Sequence, residues 1–145
     1  MRASTLALPL VAVLALAGTA DAKPKPVTQS YNVVAPVPFP MTTDVPGMYG
    51  CIDGEEGLSK NTRRVKLPFN GSLVVQVTYS GDWDLYVLDT KGKMIGAAET
   101  TETANTGPAK EKLTVKKATK GSVDIVACNW AGMKDATVKW TLTPR

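Results

Sequence analysis

Leu73, Val75, Val77 and Tyr79 alternate with Ser72, Val74, Gln76 and Thr78, the two-residue period of a β-strand with one face buried. Ser80-Gly81-Asp82 breaks the run as a tight turn, and Asp84-Leu85-Tyr86-Val87-Leu88-Asp89 begins a second strand, so the two read as a central hairpin. Thr90 to Lys93 is a further turn before Met94-Ile95 opens a third strand. The same spacing predicts strands near 62–67, 72–79, 84–89, 93–98, 111–116, 122–129 and 136–142. In the last, Ala136, Val138, Trp140 and Leu142 face one way and Thr137, Lys139, Thr141 and Thr143 the other. No helical period competes. Short strands separated by turns predict an all-β fold: a single-domain, jelly-roll-like antiparallel β-sandwich of 7–9 strands.

The flanks are less regular. Residues 23–46 form a Pro-rich arm with prolines at 24, 26, 36, 38, 40 and 46, a spacing that forbids a central strand and favours extended backbone. Gln29 to Ala35 has room for one edge strand that docks on a sheet. Met48 to Ile52 is predicted as a short strand carrying Cys51, and residues 47–145 as the sandwich domain. Thr100 to Lys110 is predicted as an exposed loop.

The strand pattern also carries a resemblance. Asp84 to Asp89 with its flanking Gly turns, Arg63-Arg64-Val65-Lys66-Leu67-Pro68, Glu111-Lys112-Leu113-Thr114-Val115 and Gly121 to Trp130 are similar to bacterial pre-peptidase C-terminal domains. Those are small secreted β-sandwiches, usually appended to exported proteases. The resemblance spans roughly Arg63 to Leu142 and implies a stand-alone form of that domain. It implies the fold more than a function, because sandwiches host many unrelated activities.

Residues 1–22 read as a secretory signal: Arg2 in the n-region, an apolar stretch from Leu6 to Ala17, and Ala20-Asp21-Ala22 as a small-x-small cleavage site. The stretch is shorter than the ~20 residues a membrane span requires. The reading is therefore a secreted, extracellular protein with no transmembrane segment. Export places Cys51 and Cys128, the only two cysteines, in an oxidising compartment and predicts a disulfide between them. In the chain-entropy picture that bridge is worth about 4 to 5 kcal/mol.

Net charge is +4, with no histidine. Without histidine the usual base of Ser and Cys hydrolases and the commonest zinc ligand are missing, and no nucleophile elbow, Walker loop or dinucleotide fingerprint appears. No catalytic residues are assigned, and the chain is read as not an enzyme. Its lysines follow the strand period, Lys112 and Lys116 alternating with Leu113 and Val115, as on a solvated strand face. Nucleic acid is not expected as a partner.

Two side-chain groups could carry binding. Trp83, Tyr86 and Trp130 fall near turn or outward positions, where flat, half-apolar rings stack on sugars or Pro-rich peptide. Leu85 and Val87 are expected inside, with Asp84, Tyr86 and Leu88 facing out. Asp82 and Asp84 lie on one face of the strand and, with Asp53 and Glu55 from a nearby loop, could hold calcium, the one cofactor the acids suggest. The expected function is a secreted, non-catalytic module binding a polysaccharide, cell-wall or extracellular protein surface. The alternative is a structural or assembly protein, or a protease-associated inhibitor or chaperone acting through protein contacts.

Overall fold

The computed structural model describes residues 23–39, 53–98 and 104–145. Eight strands run through them: β1 (Val27–Val34), β2 (Lys60–Leu67), β3 (Gly71–Gly81), β4 (Trp83–Leu88), β5 (Met94–Ala98), β6 (Ala104–Ala118), β7 (Gly121–Asn129) and β8 (Asp135–Pro144). They form two four-stranded sheets, ordered β1-β8-β3-β6 and β2-β7-β4-β5, in which every pairing is antiparallel. The sheets face one another as a β-sandwich, and the strand order is that of a jelly roll.

Alternation places the core. Leu73, Val75, Val77 and Tyr79 of β3, and Ala136, Val138, Trp140 and Leu142 of β8, point inward from one sheet. Val65 and Leu67 of β2, Trp83, Leu85 and Val87 of β4, and Val123, Ile125 and Ala127 of β7 meet them from the other. All are buried. At roughly 1.5–3 kcal/mol per large apolar side chain removed from water, this single contiguous core is the main stabilising term. It registers each strand, because a one-residue slip would turn the whole set outward.

The expected central hairpin is not one. β3 pairs with β6 and β8, while β4 pairs with β5 and β7, so the two consecutive strands lie in opposite sheets. Only Asp82 connects them. Gly81 makes the step at φ +97°, a conformation that L side chains rarely adopt, and a Cβ there would sit 2.3 Å from the Cα of Gly132. The corner is tied to the segment after β7. Trp130 N–H donates to Asp82 O at 3.0 Å, Met133 N–H to Ser80 O at 2.8 Å, and Trp83 Nε1–H to Met133 O at 3.1 Å. Trp83 is thus both a core side chain and the pin of the crossover.

The other turns follow local chemistry. Asp89 Oδ1 accepts from the amides of Lys91 and Lys93 at 2.8 and 2.9 Å, folding the β4–β5 turn over Gly92 at φ +78°. The Pro-rich arm does contribute an edge strand: β1 runs along β8 from Val27↔Leu142 to Val34↔Asp135, with Val33 and Ala35 buried. β6 begins at Ala104, inside the span expected as a loop, because its early residues continue along β3 to Gly81. The predicted strand at 48–52 and Cys51 lie outside the described residues. Cys128 is wholly buried.

Candidate functional site

The two outer sheet faces are built differently. On β2-β7-β4-β5 the outward side chains of β4 and β7 are not left to water. Val37 N–H donates to Leu58 O, and Phe39 N–H to Asn129 O at 2.7 Å, which carries the chain after β1 across this sheet. Phe39, Tyr86, Val126 and Cys128 bury one another there, with Leu88 and Trp130 at the margin. The Phe39 and Trp130 rings meet edge to face, centroids 5.2 Å apart. This is a second, smaller core laid on the outside of the sheet.

A carboxylate sits within it. Asp84 is only 2 % exposed and accepts from the Tyr86 hydroxyl at 2.8 Å and from the Trp130 indole N–H, both on Oδ2. Two such donors are what a buried carboxylate needs to remain in place. Asn129 braces the same end: its Nδ2 donates to Ala35 O at 2.8 Å and its Oδ1 accepts from Gly132 N–H at 2.7 Å.

These contacts locate the candidate aromatics. Trp83 is fully buried between the sheets and Tyr86 is 2 % exposed, so neither offers a ring face to a ligand. Trp130 is half-buried against Phe39. Tyr86 does project to the outer side, as its parity with Asp84 predicts, but that side is covered. Trp83 shares the parity of Leu85 and Val87 and goes inward with them.

The candidate calcium ligands are also dispersed. Asp84 serves Tyr86 and Trp130. Asp82 occupies the crossover, where one carboxylate oxygen is buried without a hydrogen-bond partner and burial holds the carboxyl above its ordinary pKa. Asp53 and Glu55 line a separate apolar groove with Val37, Phe39 and Leu58. Among the described residues no three His, Cys, Asp or Glu side chains gather as a metal site.

Among the described residues nothing lies across the outer face of β1-β8-β3-β6. Its cross-strand rows read Thr28, Thr141, Val74, Thr114; then Ser30, Lys139, Gln76, Lys112; then Asn32, Thr137, Thr78, Lys110. In these rows the side chains of β1 and β6 and two of the three of β8 are exposed, and those of the central β3 are half-exposed. Hydroxyls and amides link neighbouring strands: Thr28 Oγ1 lies 2.9 Å from Thr141 Oγ1, and Thr137 Oγ1 donates to Asn32 Oδ1 at 3.1 Å. At one end, Asn32, Thr78, Ser80, Pro108, Asp135 and Thr137 shape a shallow groove of about 330 Å³. The three aromatics of these strands, Tyr31, Tyr79 and Trp140, all turn inward, Tyr31 beneath the Arg63 guanidinium at 4.4 Å.

Lys112 and Lys116 lie on a solvated strand face, as their alternation with Leu113 and Val115 predicts, and the strand order adds Lys139 and Gln76 to that face. The alternation of Thr and Lys in β6 and β8 was the available signal; the order of the strands was not. No helix among the described residues is long and apolar enough to cross a membrane. Neither a protein-family model nor a curated protein matches the chain.

Proposed function

We propose that this protein is a non-catalytic module that binds polysaccharide through the outer face of the β1-β8-β3-β6 sheet. One observation carries the reading: of the two outer faces, this is the one that no described residue lies across, and its three central rows consist almost entirely of Thr, Ser, Asn, Gln and Lys. Such side chains offer donors and acceptors at the spacing of a sheet, about 4.8 Å between strands and about 7 Å between same-face residues along one. A hydroxyl-rich chain lying across the rows meets hydrogen-bond partners at each step without any covalent bond being broken or made. The rigid sandwich holds these groups in place before the ligand arrives, which limits the ordering cost of binding.

The resemblance to pre-peptidase C-terminal domains, which are small secreted sandwiches, supports this reading. Export behind residues 1–22 and a Cys51–Cys128 bridge belong to the same proposal. Trp83, Tyr86 and Trp130 have a structural part in it: they position the sandwich and do not touch the ligand.

The test is retention of the mature protein on a panel of insoluble and soluble polysaccharides, with Gln76→Ala/Thr78→Ala/Thr137→Ala alongside. Retention on at least one polymer, lost in the triple variant while its melting temperature stays put, is the expected result. Retention that survives the triple variant sinks the assignment to this face.

A further inference from the structure

The charge on the open face selects among polysaccharides. Lys110, Lys112 and Lys116 of β6 and Lys139 of β8 project from it, all exposed. Its one carboxylate in register with these strands is Asp135, at the end row; Glu111, the other acid of the four strands, points inward and is buried. Lys112 and Lys139 flank Gln76 in a single cross-strand row, about 10 Å apart at ordinary strand spacing, and Lys110 stands about 7 Å along β6 from Lys112. These separations are comparable with the screening length of about 8 Å at physiological ionic strength, so the charges act together. On the opposite sheet an outward cation is answered directly: Arg64 donates from Nε and Nη2 to Asp124 in a two-pronged pair at 2.8 Å.

Resting on the polysaccharide reading above, we infer that the ligand is an acidic polysaccharide, a hydroxyl-rich chain bearing carboxylates, held along the Lys110, Lys112 and Lys139 cluster. Charge complementarity chooses it over a neutral glycan, and so does the inward turn of Tyr31, Tyr79 and Trp140, which leaves the face without a ring for a sugar to stack on. The same lack of aromatics, with no arginine in the three rows, disfavours nucleic acid, whose single strands are held by stacking and whose phosphates suit the guanidinium fork. Lysine, a compact charge on a flexible stem, fits spaced carboxylates among hydroxyls that Thr, Ser and Gln can meet. An anionic lipid surface would also attract lysines, but it has no use for the rows of hydrogen-bonding groups between them.

The experiment is affinity electrophoresis or calorimetry of the mature protein with polygalacturonate and neutral dextran, and co-sedimentation with cellulose and with phosphatidylserine vesicles. It includes Lys110→Gln/Lys112→Gln/Lys139→Gln and the matching triple Lys→Arg variant. Polygalacturonate binding is expected to weaken about tenfold between roughly 50 and 200 mM salt, the dependence of a contact that releases a few counterions. The Gln triple should lose at least about tenfold, and the Arg triple should retain most of the affinity, since it keeps the charge. Thermal melting of the exposed variants controls for folding. Binding to neutral polymers that ignores both salt and the Gln triple overturns this inference and leaves the polysaccharide module standing. Binding to neither class overturns both. Preference for phosphatidylserine vesicles over polygalacturonate overturns this inference in favour of a lipid surface.

Discussion

The two outer faces of the sandwich each belong to four antiparallel strands with one side turned to the core, yet one is covered over its central strands and the other, among the described residues, is bare. On β2-β7-β4-β5 the outward positions of β4 and β7 carry Tyr86, Val126 and Cys128, apolar enough that Phe39 and Trp130 fold over them. On β1-β8-β3-β6 the outward positions carry Thr, Lys and Gln, and among the described residues no segment lies across them. A face covered by its own chain is committed to stability. A face that solvates itself remains available for a partner. The contrast explains why aromatic residues, ordinarily good ligand contacts, are poor guides here.

Substitutions can sharpen or break that contrast. Trp83→Ala should have the largest effect: it empties a fully buried site in the core and removes the bond to Met133 O at the crossover. The loss should be about 3–5 kcal/mol, read from a denaturant melt. Asp84→Ala comes next. It strands the Tyr86 hydroxyl and the Trp130 N–H under the Phe39 cover, at about 1–3 kcal/mol, whereas Asp84→Asn keeps an acceptor and should cost less. If Asp84→Ala is as harmless as a surface change, the sealed face is not sealed by this cluster.

Acid titration separates two further carboxylates. Burial raises the Asp82 pKa, so its ionised form costs stability in full above that raised value, and the cost is gone below the ordinary carboxylate range. Asp82→Asn should therefore raise the melting temperature at pH 7 and give no gain in acid. A lower melting temperature at pH 7, with a calcium-dependent rise in the parent protein, would instead restore Asp82 as a metal ligand. Asp124 runs the other way. The hydrogen bond from Arg64 lowers its pKa, so its contribution is complete above the ordinary carboxylate range and is lost as pH falls through the lowered value. Because Arg64 is exposed, Arg64→Ala should shift the melting temperature only slightly, and less so in high salt.

On the open face, Gln76→Ala, Thr78→Ala and Lys112→Gln should each change stability by no more than about 0.5 kcal/mol while altering binding. A large loss of stability there would show that the face is structural after all.

Much of the fold was legible because its signal is local. Alternation in β3 and β8 declared which side of each strand is buried, and Thr90 to Lys93 marked the turn between β4 and β5. The run Ile125-Val126-Ala127-Cys128, apolar on both parities, held a readable sign that β7 is covered on its outer side too. Trp83 sits at the inward parity of Leu85 and Val87, so its burial could also have been read from its own strand. The corner at Gly81 was not legible: a glycine with positive φ serves a hairpin and a crossover equally well. Its resolution depends on Gly132 and Met133, fifty residues away in the chain, closing against it.

The sequence alone therefore determined that this protein is a sandwich, where most of its strands lie and which side chains of β3 and β8 form the core, since a period of two and a few turn residues are properties of neighbouring positions. Only the tertiary structure decided which outer face is covered and which lysines share a surface. Lys112 and Lys139 meet across Gln76 because β3 lies between β6 and β8, and strand order is set by long-range packing that no local pattern encodes.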